Sequence, residues 1–124
     1  MKTYISTKNA PAAIGPYSQG ILAGDTLYIS GQIPVNPSNG EIPSDIASQT
    51  TQCLENIKAI LAEADFSLND VVKCSVLLDD ISNFDTMNSI YAEYFCNNKP
   101  ARVCFEVSKL PKGVKIEIDA IAVR

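Results

Sequence analysis

The chain has 124 residues, 46% of them hydrophobic, which suits one domain with a single core and argues against disorder. The net charge is −4 and no cluster of Lys and Arg occurs, so nucleic acid is not expected as the main partner. No apolar run approaches the roughly 20 residues of a membrane span. The start, Met1–Ile5, lacks the apolar region of a secretion signal. We therefore expect a cytoplasmic protein.

The residue types present limit the available chemistry. Histidine is absent, which removes Ser-His-Asp and Cys-His catalysis and the usual zinc sites. None of the four cysteines belongs to a Cys-x-x-Cys pair, so neither a disulfide framework nor a metal site is expected. Any hydrolysis must therefore depend on carboxylates, hydroxyls, backbone dipoles or an arginine.

The first forty residues favour turns and short strands. Thr3–Ile5 is typical of an edge strand. Gly20–Ala23 and Thr26–Ser30 flank Gly24-Asp25, a pair that predicts a hairpin with a type I′ or II′ turn. A loop with three prolines follows at 33–43.

The rest of the chain predicts two helices and three strands. Ser44 is a good N-cap for the first helix, in which apolar residues recur at helical spacing as far as Ala64. The later elements are a strand at Val71–Leu78, a helix from about Asn83 to Phe95, and strands at Ala101–Val107 and Val114–Val123.

This element order predicts an α+β fold, in which one domain, 1–124, has a mixed sheet with two helices on one face. Two helices cannot cover both faces of such a sheet. The other face is therefore solvated or paired with further subunits, and the aliphatic Ile121 and Val123 favour pairing. We expect a homo-oligomer.

Arg102 lies at the start of a predicted strand, and its guanidinium is a planar fork that pairs bidentately with a carboxylate. The alternative is an exposed arginine, or one paired with Glu106, and composition alone favours this alternative. Cys104 shares a face with Arg102, and a neighbouring cation would favour its thiolate. A small packed cysteine is an equally good interpretation.

Glu117 alternates out of phase with the aliphatic Ile116 and Ile118. If the second face of the sheet is a subunit interface, Glu117 is partly desolvated, and its raised pKa would let it exchange protons near neutrality. A solvated glutamate bonded to Lys115 is the more ordinary interpretation.

Four further residues are weaker candidates. Tyr17 lies in a loop, and Ser30-Gly31 ends a strand where a hydroxyl and a free N–H could meet an anion. Asn88 lies on the second helix. Turn formation and capping explain all four equally well.

Four segments together resemble the reactive-intermediate-deaminase (Rid, or YjgF) family over essentially the whole chain. They are Asn9–Gln19, Leu27–Pro34, Pro100–Val107 and Leu110–Ile118. The Arg-x-Cys pattern and Glu117 are similar to the RidA branch of imine deaminases. The resemblance implies a chorismate-mutase-like fold, a homotrimer with sites between subunits, and hydrolysis of 2-imino or enamine acids such as 2-aminoacrylate without a cofactor.

The resemblance also implies residue roles. Arg102 would hold the substrate carboxylate and Glu117 would orient or deprotonate the attacking water. The remaining pocket residues would be Tyr17, Ser30, Gly31, Asn88 and Cys104. One departure concerns the short segment 96–99, where Lys99 stands in place of the aromatic residue that many relatives carry, so the pocket rim is expected to differ.

Two other functions are compatible with this scaffold: a non-catalytic small-molecule-binding regulatory protein, and an endoribonuclease. The presence of both Arg102 and Glu117 argues against the first. The acidic pI and the lack of histidine argue against the second.

Overall fold

A computed structural model describes all residues, 1–124. The chain forms six strands and two helices, with three short 3-10 segments between them. In chain order they are β1 (Lys2–Ile5), β2 (Gly20–Ala23), β3 (Thr26–Gln32), α1 (Ile46–Glu63), β4 (Val71–Leu78), α2 (Phe84–Tyr94), β5 (Ala101–Glu106) and β6 (Ile116–Val123). The predicted α+β class and element order are confirmed.

The six strands form one mixed sheet in the order β1-β2-β3-β6-β4-β5. Only β4 and β5 are parallel; the other neighbours are antiparallel. The strand β6 is central, which explains why its C-terminal half is apolar on both faces. The Gly24-Asp25 hairpin is confirmed, and a positive φ at Gly24 but not at Asp25 matches a type II′ turn.

One face of the sheet is covered by both helices. The core between the sheet and the helices contains alternate residues of the central strands and the apolar stripe of α1, as the periodicity predicted. Fully buried members include Leu27, Leu54, Ile57, Ile60, Val76, Leu78, Met87, Ile116 and Ile118.

The other face of the sheet, here called the open face, has no helix. Its side chains alternate with those of the core and include Tyr4, Tyr28, Val103, Phe105 and Val123, which are between 39% and 67% exposed. Exposed apolar residues of this kind favour contact with a partner when they form a contiguous patch. No helix is long and apolar enough to span a membrane.

Three of the element boundaries that differ from the sequence prediction have a local structural cause. The N-cap of α1 is Asp45, not Ser44, because the Asp45 carboxylate accepts the Ser48 N–H at 2.9 Å. The strand β3 continues past Ser30 to Gln32 through a bulge. The last strand begins at Ile116 rather than Val114, since 111–113 forms a 3-10 turn with positive φ at its last two residues.

Candidate functional site

Arg102 lies on the edge strand β5, paired with Cys74 and on the helix face of the sheet. Its Nη1 donates a hydrogen bond to Asn88 Oδ1 at 2.8 Å. The guanidinium carbon lies 4.7 Å from the ring centroid of Tyr91 and 5.6 Å from that of Phe84. The only ion pair of the chain joins Lys58 and Glu55, so no carboxylate neutralises Arg102.

The helix α2 supplies all three partners of Arg102. Phe84, Asn88 and Tyr91 are spaced i, i+4 and i+7, which places them on one face of the helix. We call these residues, with Arg102 and Cys104, the Arg102 cluster. Asn88, a predicted pocket residue, thus contacts Arg102, and the apolar Phe84 and Tyr91 are additional neighbours of the guanidinium.

The alternative pairing of Arg102 with Glu106 is wrong. Glu106 Oε1 instead accepts the backbone N–H of Ile81 at 2.8 Å. Ile81 begins the 3-10 turn that leads into α2, so Glu106 helps to fix where the helix starts. Four residues along a strand span about 13 Å, which also separates the two side chains.

Cys104 shares the face of Arg102 and packs partly buried against the core. Burial raises the pKa of its thiol above the ordinary value, and the opposing effect of Arg102 is smaller. This direction disfavours the interpretation of Cys104 as an activated thiolate and favours that of a packed thiol.

Glu117 lies on the open face, opposite Leu77 of β4. Burial raises the pKa of its carboxyl above the ordinary value, and repulsion from Asp119 adds to the shift. No ion pair with Lys115 exists, because the only ion pair lies elsewhere. The expected partly desolvated glutamate is thus present in a single chain.

Gly31 lies directly against this carboxylate. A Cβ built on Gly31 would overlap Glu117 Oε2 and lie 2.9 Å from Glu117 Cδ. The β3 bulge leaves Ser30 and Gly31 unpaired with β6, which places Gly31 there. Gly31 has no positive φ, so its lack of a side chain serves to admit Glu117.

Ser30 binds the loop before β2, in which Tyr17 lies. The Ser30 hydroxyl donates to the Ser18 carbonyl at 2.5 Å, and the Ser30 N–H donates to the Gln19 carbonyl at 2.9 Å. The loop that carries the 53% exposed Tyr17 is thereby tied to the bulge. We call Tyr17, Ser30, Gly31 and Glu117 the Glu117 cluster.

A row of buried polar residues on α1 supports the Glu117 cluster from beneath, and sequence reasoning missed it. Gln49 Oε1 accepts the Lys115 N–H at 2.8 Å. The Cys53 thiol donates to the Gln32 carbonyl at 3.2 Å. Asn56 Nδ2 donates to the carbonyls of Ile33 and Val35 at 3.2 and 3.1 Å. Their i, i+4, i+7 spacing on the face of Ile60 was the signal that could have identified them.

The two clusters do not meet within one chain. Arg102 is opposite Cys74 and Glu117 is opposite Leu77, on strands that flank β4. Standard strand dimensions put their Cα atoms about 14 Å apart, and their side chains point to opposite faces. No group of three or more His, Cys, Asp or Glu side chains is arranged to hold a metal ion.

Comparisons with known proteins agree with this architecture. The family model described as "Endoribonuclease L-PSP" matches residues 7–124. The 2-iminobutanoate/2-iminopropanoate deaminase of Escherichia coli is 51% identical, covering 100% of this chain and 99% of the relative. A RutC family protein of Pyrococcus horikoshii is 61% identical over 98% of each chain.

The structural comparison gives the same result. The crystal structure of E. coli TdcF with bound serine superposes with a TM-score of 0.96 at 46% identity, covering 98% of each chain. A family-model match over nearly the whole chain, together with relatives of this identity, leaves no other assignment. The chain belongs to the endoribonuclease L-PSP family, the Rid (YjgF) family that its motifs resemble.

Proposed function

We propose that this protein hydrolyses 2-imino acids and their enamine tautomers to 2-keto acids and ammonia. The observation that carries the proposal is an arginine held by neutral groups, with its charge uncompensated, in a chain 51% identical to a 2-iminobutanoate/2-iminopropanoate deaminase. Such an arginine is suited to bind a substrate carboxylate bidentately.

Arg102 is the proposed carboxylate-binding residue. Its planar fork would fix the orientation of the substrate and discriminate against imines without a carboxylate. Asn88, which accepts from Nη1, leaves the other guanidinium donors available. Positioning of this kind lowers the barrier because the reacting carbon is held where water can approach it.

Glu117 is the proposed base. An imine is electrophilic once it is protonated. The main requirement of the reaction is therefore the activation of one water molecule. Water adds to the C=N carbon while Glu117 accepts its proton, and the proton then passes to the amino group of the carbinolamine. That nitrogen leaves as ammonia as the C=O bond forms, and Glu117 takes up the hydroxyl proton and passes it to the ammonia, which departs as ammonium. The balance is iminium acid plus water giving 2-keto acid plus ammonium, so no cofactor enters.

A homotrimer with pockets between subunits would unite the two clusters. Arg102 and Glu117 lie on opposite faces of one sheet, so one pocket that uses both needs them from different chains. The exposed apolar residues of the open face suit burial in such an assembly. Cys104, Ser30, Gly31 and Tyr17 would then line the pocket.

The test follows 2-aminoacrylate or 2-iminobutanoate, generated by a serine or threonine dehydratase, with and without the protein. We expect Arg102→Ala to raise KM strongly and Glu117→Gln to lower kcat by about 10²-fold or more. Arg124→Ala is the matched control, because Arg124 also lies over a ring, that of Phe66, but away from both clusters. No acceleration by the wild type would refute the proposal.

An endoribonuclease is the second candidate, favoured only by the description of the family model. The net charge of −4 and the absence of histidine weigh against it. Incubating the same preparations with RNA distinguishes the two: cleavage that persists in Glu117→Gln while imine hydrolysis is lost would show a separate activity. A protein that binds 2-oxobutanoate but accelerates neither reaction would be a regulatory binder instead.

A further inference from the structure

The feature that goes beyond the proposed function is the way in which Arg102 is held. Buried or half-buried arginines are usually paired with a carboxylate, since an unpaired charge is costly to desolvate. Arg102 is partly buried and has no such partner. Its neighbours are one amide oxygen and two aromatic rings.

Ring faces attract a guanidinium without neutralising it. The negative face of an aromatic ring stabilises a cation within about 6 Å of the centroid, and both distances here, 4.7 Å to Tyr91 and 5.6 Å to Phe84, lie inside that range. A carboxylate in the same place would fix the guanidinium equally well but would compete with the substrate for it.

The carboxylate that could most readily compete is bound elsewhere. Glu106 is on the same face of β5, and its Oε1 accepts the Ile81 N–H at 2.8 Å. That bond anchors the turn from which α2 begins, and α2 then presents Phe84, Asn88 and Tyr91 to Arg102. Glu106 therefore helps to position the rings of Phe84 and Tyr91 and does not neutralise the Arg102 guanidinium.

We propose that Phe84 and Tyr91 are positioning residues that orient the Arg102 guanidinium against their ring faces and leave its charge free for the substrate carboxylate. This inference rests on the proposed function, in which Arg102 binds that carboxylate. It assigns substrate affinity to two residues of α2 that need not touch the substrate.

The test measures binding separately from catalysis, with 2-oxobutanoate, the product, as the probe in calorimetry. Phe84→Leu keeps an apolar, helix-compatible side chain but removes the ring. We expect about threefold to tenfold weaker binding and an equal rise in KM with little change in kcat. Phe84→Tyr, which restores the ring, should restore both values.

Two control variants distinguish the effect of the Phe84 ring face from the effect of side-chain packing at that position. Phe84→Met fills space without a ring and should behave like Phe84→Leu. Tyr94→Leu removes another α2 ring that lies near a cation, Lys58, and should leave binding unchanged. Thermal unfolding of each variant shows whether it is folded.

The outcomes separate this inference from the proposed function. Leu, Met and wild-type proteins that bind 2-oxobutanoate equally would overturn the role of the ring. So would a wild type that does not bind it at all. A wild type that binds through Arg102 and loses affinity in Phe84→Leu, but hydrolyses no imine, would support the inference while refuting the deaminase.

Discussion

The two charged residues of the site are held in contrasting ways. Arg102 is at an edge strand, against two rings and an amide, and its charge has no partner. Glu117 is on the central strand, against the backbone of Gly31, where burial and Asp119 both raise its pKa. Arg102 is thus oriented without a partner that neutralises its charge. The ionised form of Glu117 is instead disfavoured by its surroundings.

This contrast follows the two tasks. A group that binds a carboxylate works best with a fixed geometry and a full charge. A group that takes a proton from water works best when its pKa is moved toward the working pH. Changes to the Arg102 cluster should therefore alter affinity, and changes to the Glu117 cluster should alter turnover.

The largest effect is expected from Gly31→Ala. The new Cβ would overlap the Glu117 carboxylate, which must move, while the backbone of Gly31 suits any residue. A displacement of about 1 Å can cost about 10²-fold in rate, so we expect kcat for imine hydrolysis to fall by about that factor with the affinity for 2-oxobutanoate retained.

Gly40→Ala is the control for this prediction, since a Cβ there meets no atom within 4 Å. It should leave kcat unchanged, although its positive φ costs some stability. A Gly31→Ala protein with wild-type kcat would show that the Gly31–Glu117 contact does not matter for turnover.

The second prediction tests the other half of the contrast. Asn88→Asp places a carboxylate 2.8 Å from Arg102 Nη1, where it neutralises the guanidinium. We expect KM to rise about tenfold or more, with kcat nearly unchanged, because the substrate must displace a charged competitor. Steady-state kinetics with 2-iminobutanoate measures both values.

Asn88→Ala separates loss of the hydrogen bond from gain of the charge. It removes the acceptor but leaves the guanidinium free, so its KM should lie between those of the wild type and Asn88→Asp. Equal KM values for the Asp and Ala variants would contradict the view that the uncompensated charge is the important property.

Much of this arrangement follows from sequence periodicity, and some of it does not. Alternation in β5 and β6 indicated that Arg102 shares a face with Cys104 and that Glu117 lies opposite the aliphatic residues, and both predictions are confirmed. The partners of Arg102 depend on how α2 packs against the edge strand β5, which is a long-range packing result that no local pattern encodes.

The support beneath Glu117 was missed for a different reason. Gln49 and Asn56 are polar residues on the buried side of α1, so the pattern of apolar positions alone does not reveal them. Polar groups are buried only when their hydrogen bonds are satisfied. A polar residue in phase with a buried stripe is therefore a sign that irregular backbone lies against it, here the segment after the β3 bulge.

The third prediction concerns pH and the free energy of unfolding. The folded-state pKa of Glu117 is raised, so the folded protein binds more protons than the unfolded chain between the two pKa values. Its contribution to stability is thus lost as pH rises through that window. Glu117→Gln should be more stable than the wild type at pH 7 and show no gain at a pH below the ordinary glutamate pKa.

Urea unfolding at both pH values, at one protein concentration, measures this difference. Glu41→Gln is a suitable control for the substitution itself because Glu41 is exposed. A Glu117→Gln protein that is less stable than the wild type at pH 7 would contradict a desolvated carboxylate. The expected gain in stability with loss of turnover is a common sign of an active-site residue.

The smallest effect is expected from Tyr91→Phe, which separates the role of the Tyr91 ring from that of its hydroxyl. The Tyr91 hydroxyl is buried and makes no hydrogen bond of normal geometry, although the Cys74 thiol lies beside it, and burial raises its pKa. A buried unpaired hydroxyl costs stability, whereas the ring lies 4.7 Å from the guanidinium. Removing the hydroxyl alone should raise the unfolding free energy by up to about 1 kcal/mol and leave KM unchanged. If KM instead rises as much as in Phe84→Leu, the hydroxyl, and not the ring face, is what Arg102 requires.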